Sequence, residues 1–174
     1  MVLACCPRFL NMSNIETRKI HSSGKIEIRA VQSGVMLSGY AAIFNQVTQI
    51  FDFDEQVLPG AFKRSLDEGA DVRALYNHQD SDVIARRSGG TLELTEDSKG
   101  LSFRMKVPNT QAARDLVENI RHGNISGMSM GFVVQREEWR EAGDRYLRSL
   151  VDVELIEISP VTFPAYEGTS IIEI

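Results

Sequence analysis

Cysteine is almost absent from this 174-residue chain, and its two cysteines, Cys5 and Cys6, are neighbours. Adjacent cysteines cannot staple a fold and lack zinc-ligand spacing, so a disulfide scaffold is excluded and a reducing compartment indicated. No apolar run approaches the roughly 18 residues of a membrane span. Basic residues are outnumbered, 19 Lys and Arg against 24 Asp and Glu, for a net charge of −5. Binding nucleic acid by phosphate neutralisation needs a clustered basic surface, which this composition argues against. Histidine is also scarce: His21, His78 and His122 are all there is. There is no His-x-x-x-His pair to hold a metal, and Ser88-Gly89-Gly90-Thr91 lacks the lysine and spacing of a phosphate loop. No metal or cofactor is expected.

What remains is ordinary for one globular domain, 43% hydrophobic and 25% charged. Residues 1–24 are expected to be disordered, because their first 17 show neither helical nor strand period. Met1–Cys6 is too short for a signal-peptide core, and Met12 opens a more usual polar start. Residues 25–174 form the expected domain. Lys25–Ala30, Val35–Phe44 and Asp71–Tyr76 alternate as strands. Thr91–Thr95 and Leu101–Val107 suggest an antiparallel hairpin. Ser126–Val134, Tyr146–Val153 and Leu155–Val161 are further strands. Gln46–Val57 reads as a loop and Arg136–Arg145 as a charged turn. A short helix is expected near Ala61–Leu66 and a longer one over Gln111–Arg121, with Gly123 as its stop. The fold class is α+β, mostly antiparallel β with flanking helices.

Gly127-Met128-Ser129-Met130-Gly131 matches G-x-S-x-G, in which small flanking residues let a serine hydroxyl stand clear of the backbone. A glycine-flanked serine in a turn is common, so the match alone is weak. The α/β-hydrolase version of this motif is excluded, because it needs a histidine after the serine and none follows His122. It also needs a helix after the serine, where an alternating apolar segment stands. A serine nucleophile still requires a base. His78, 51 residues upstream at the end of the Ala74–Tyr76 strand, is the candidate, although it could equally close a turn. A carboxylate should orient the imidazole. Asp152, Glu154 and Glu157 lie in an otherwise apolar strand, where an acid costs free energy unless paired. Ser126 and Ser159 lack the flanking glycines.

At these residues the sequence resembles the prohead protease family of tailed bacteriophages, over about Met36–Thr169. The segments carrying the resemblance are Ser38-Gly39-Tyr40-Ala41-Ala42-Ile43-Phe44-Asn45, Leu58-Pro59-Gly60-Ala61-Phe62, Leu75-Tyr76-Asn77-His78, Gly127–Phe132 and Leu155–Tyr166. Their order and spacing together are specific. The resemblance implies a barrel-like fold similar to the herpesvirus assemblins. It implies a serine endopeptidase that cuts scaffold or capsid-protein segments, and often itself, inside assembling proheads in the host cytoplasm. Its serine falls on Ser129 and its histidine on His78. Assemblins use a second histidine as third member, and this chain has none after the serine, so Glu157 is the first choice for that role, ahead of Glu154 and Asp152. The oxyanion donors stay unassigned. A homodimer, with the major capsid protein and its scaffold segment as substrate, is a further expectation from the family. The competing reading is a non-catalytic capsid-assembly or scaffold-binding protein with the same fold. A small-molecule esterase is disfavoured for want of an acyl pocket.

Overall fold

A computed structural model describes residues 15–18, 26–31 and 34–163. Among the described residues, eleven strands form two sheets, accompanied by two helices. The smaller sheet has the order β2-β3-β9-β8, formed by Glu27–Val31, Gly34–Ile43, Gly100–Val107 and Leu92–Glu96. All its pairings are antiparallel, and β8–β9 is the hairpin expected from Thr91–Val107. Alternation drives this pairing: Leu92, Leu101, Phe103 and Met105 are buried while Glu93 and Arg104 face solvent.

The larger sheet is built on two long strands, β10 (Gly127–Ala142) and β11 (Arg145–Val161). Their antiparallel ladder runs from Gly127↔Val161 to Ala142↔Arg145. The expected charged turn at Arg136–Arg145 is therefore mostly strand. The actual turn is Gly143-Asp144, where Gly143 takes φ +71°, a conformation glycine adopts without steric cost. The charges misled because Arg136–Ala142 has no buried residue and so shows no apolar face, although it pairs with the buried Leu147–Leu150 stretch of β11. Tyr146–Val153 and Leu155–Val161 are likewise one strand, not two.

The loop expected over Gln46–Val57 contains β4 (Thr48–Ile50) and β5 (Phe53–Val57). Acids are poor strand formers, but Glu55 is neutralised by Arg148 at 3.1 Å and Phe53 packs edge-on against Trp139. β5 runs parallel to β11. So does β6 (Arg73–Tyr76), which turns back into β7 (Gln79–Arg86). Within the lead-in segment expected to be disordered, Glu16–Arg18 form β1, antiparallel to β10. The sheets do not close into a barrel among the described residues, which corrects the barrel-like expectation.

Helix α1 (Lys63–Asp67) is short, and α2 (Gln111–Arg121) matches the expected range. Thr110 caps α2 by accepting from the Ala113 amide at 3.3 Å, a contact worth about 1 kcal/mol. The helix buries Ala113, Leu116, Val117 and Ile120 on one face, and Gly123 follows at φ +70°. Phe62, Phe103 and Phe132 are fully buried at the centre, joined by Met128 and Met130 from β10. The strand carrying Ser129 is thus anchored by core residues at every other position.

Candidate active site

β6 ends at Tyr76, and Asn77-His78 form the two-residue turn into β7. Both have positive φ, +52° and +61°, the pattern a type I′ hairpin turn requires. Asparagine tolerates this region; histidine there stores about 1–3 kcal/mol of strain. Ties to the end of β11 offset it. The Asn77 amide N–H donates to the Pro160 carbonyl at 3.1 Å, Asn77 Oδ1 accepts from the Thr162 amide at 2.8 Å, and Asn77 Nδ2 meets Thr162 Oγ1 at 3.1 Å. The turn is clamped against the strand that carries the acids.

That clamp sets His78 Nδ1 2.8 Å from Glu157 Oε1. The other oxygen, Glu157 Oε2, accepts from the Ser159 hydroxyl at 2.6 Å. A carboxylate only accepts, so Nδ1 carries a hydrogen, and in the neutral imidazole Nε2 is the atom that bears the lone pair. Nε2 is buried with no hydrogen-bond partner among the described residues. The arrangement can take up a proton at Nε2 and stabilise the cation through Glu157.

Ser129 lies on β10 level with Ser159, and Gly131 is level with Glu157. Side chains two apart on a strand share a face, and cross-strand partners share it too. Ser129, Ser159 and Glu157 therefore line one face, and the absent side chain of Gly131 is the space Glu157 occupies. Ser129 and Ser159 are fully buried, and Glu157 is 7% exposed.

Of the three candidate acids, Glu157 is the one that meets His78. Asp152 pairs instead with Arg64 Nε at 2.9 Å. Glu154 lines a cavity of about 220 Å³ with Arg64, Ser65 and Glu68. His122 caps the end of α2, 4.0 Å from Glu118, and takes no part. Cys5, Cys6 and His21 fall outside the described residues. No cluster of three metal-ligating side chains occurs among the described residues. Sequence reasoning passed over Ser159 and Gly131 as partners of Glu157. The Glu-x-Ser spacing on a strand was the available signal, since it places a hydroxyl beside the carboxylate.

Residues 24–174 match the family model described as caudovirus prohead serine protease. The chain belongs to that family. It is 32% identical over 160 residues to the prohead protease of Enterobacteria phage HK97, which covers 90% of this chain and 68% of the relative. Its fold is similar to that of the bacteriophage T4 capsid assembly protease, with a TM-score of 0.58 at 11% identity, covering 87% of this chain and 98% of the other. As a caudovirus prohead serine protease, this chain acts in prohead maturation. No helix among the described residues is long and apolar enough to cross a membrane.

Proposed function

We propose that Ser129, His78 and Glu157 perform acyl transfer on peptide bonds. The observation that carries this reading is the 2.8 Å contact between His78 Nδ1 and Glu157, with Nε2 buried and without a hydrogen-bond partner among the described residues. His78 Nε2 takes the Ser129 proton as Oγ attacks the substrate carbonyl. Glu157 holds the ring in the productive tautomer and balances the imidazolium. The proton then passes to the leaving amine, and water repeats the sequence on the acyl-enzyme.

The substrates under this reading are segments of the major capsid protein and its scaffold, cut inside the prohead in the host cytoplasm. The chain also cuts itself and acts as a homodimer, with residues 25–174 as the protease unit and an assemblin-like arrangement of its sheets. Family membership supports the reaction class; the hydrogen-bond chain from Ser159 through Glu157 to His78 supports the residue roles.

A serine-directed fluorophosphonate tests the assignment. Intact wild-type protein should gain one adduct, mapped to the peptide containing Ser129, and His78→Ala should label at least 100-fold more slowly. An adduct on another serine, or equal labelling of the His78→Ala chain, would overturn it.

A further inference from the structure

The edge of β10 beside Ser129 is occupied by the chain itself. β1 pairs antiparallel with it in the register Glu16↔Phe132, Thr17↔Gly131 and Arg18↔Met130, so among the described residues the ladder reaches Met130, next to Ser129. On its other side β10 is closed by β11, which leaves the β1 edge as the side open to a further extended chain over these residues. Ser129 itself is fully buried, and attack on a peptide carbonyl requires that its hydroxyl be reached.

β1 is three residues long and held by a charge. Arg148, 7% exposed, bonds Glu16 through both terminal nitrogens at 2.8 and 3.1 Å. The same guanidinium meets Glu55 at 3.1 Å and Glu137 at 2.6 Å. Burial alone would lower the Arg148 pKa, but these acids outweigh it and hold it above the usual arginine value. Arg148 is buried while the Glu16 side chain is 32% exposed, so removing Glu16 takes one partner from a buried guanidinium. β1 also precedes residues 24–174, which match the family model.

We infer that the outer edge of β10 is a docking site for an extended substrate segment bearing a carboxylate, that Arg148 receives this carboxylate, and that β1 occupies the site in its absence. This rests on the reading of Ser129 as nucleophile only for its consequence, not for the binding itself. Strand addition supplies main-chain hydrogen bonds along Met130–Phe132, and the charge selects register. The incoming segment lies antiparallel to β10 with its acid level with Phe132, three positions along β10 from Ser129. As an intramolecular occupant, β1 has an effective concentration of order millimolar and competes strongly with a separate peptide.

The test uses the full chain carrying Ser129→Ala, so that binding is read without turnover. The probe is a fluorescein-labelled peptide of residues 12–22, MSNIETRKIHS, followed by anisotropy. Glu16→Arg in the protein should release β1, seen as faster hydrogen exchange at the β10 amides, and tighten peptide binding at least 10-fold. Replacing the peptide's own glutamate by glutamine should remove most of that gain. Equal affinity for the two chains, or no binding once exchange shows the edge released, would overturn the inference. If Glu16→Arg lowers Tm so far that folding is lost, Glu16→Gln serves the same comparison, with unchanged peptide affinity again contradicting it. Loss of fluorophosphonate labelling at Ser129 would instead count against the catalytic reading, and is measured separately.

Discussion

Gly131 and Glu157 face one another across the β10–β11 ladder so closely that a Cβ on Gly131 would lie 2.7 Å from Glu157 Oε1 and 3.1 Å from its Cγ. The oxygen concerned is the one that meets His78. The second glycine of the G-x-S-x-G motif thus makes room for the acid beside the imidazole. Gly131→Ala should displace that carboxylate, lowering cleavage of a capsid-protein substrate at least 10-fold. Overpacking should cost about 1–3 kcal/mol, measured by urea denaturation. Unchanged kcat would show that Glu157 has no positional demand there.

The three acids separate by substitution. Glu157→Gln should reduce kcat about 10³–10⁴-fold, because an amide can present the wrong partner to Nδ1. Asp152→Asn breaks the pair with Arg64 and should leave kcat within a few-fold, with a stability change of about 1 kcal/mol or less for this part-exposed contact. Steady-state kinetics on the two variants, with thermal melts, decides between them.

Ser159 gives Glu157 its second hydrogen bond from a fully buried position. Ser159→Ala leaves a buried carboxylate oxygen unsatisfied, which costs about 1–3 kcal/mol. It should lower kcat with little change in KM, since Ser159 acts through Glu157 as a positioning residue. Ser159→Thr, which keeps the hydroxyl, should recover part of the loss. An effect confined to KM would remove Ser159 from that role.

Away from the site, Asp71 receives the Arg86 guanidinium and the Ser88 amide, which hold its carboxyl well below the usual carboxylate range. A depressed folded-state pKa adds stability that is present above the unfolded value, near 3.8, and is lost as pH falls below it. The stability gap between wild type and Asp71→Asn should therefore be constant from pH 7 to about 5 and shrink progressively below about pH 4. Urea midpoints measured across that range check it; a gap that widens toward acid would reverse the sign.

Most strands and both helices were legible because their apolar positions repeat with the period of the element. Ala113, Leu116, Val117 and Ile120 mark α2 at helical spacing, and the Leu92–Val107 hairpin alternates. The strands that were missed depend on distant partners. Glu55 belongs in a strand only because Arg148, 93 positions away, neutralises it. The long ribbon at Arg136–Arg145 has no buried face over much of its length and so carries no period. His78 was legible as the residue at a strand end. Its pairing with Glu157 rather than Asp152 or Glu154 depended on the β6–β11 register, which no local pattern encodes. The Arg148 anchor of β1 joins residues 132 positions apart and was illegible for the same reason.

The central claim is that Ser129 cuts peptide bonds in capsid-assembly substrate. The most direct measurement compares intact masses after concentrated wild-type chain and Ser129→Ala are each incubated with the cognate capsid protein and scaffold. Defined fragments from wild type and none from Ser129→Ala are the predicted result, and the fragment masses give the cleavage sites. The same fragments from both chains would contradict it.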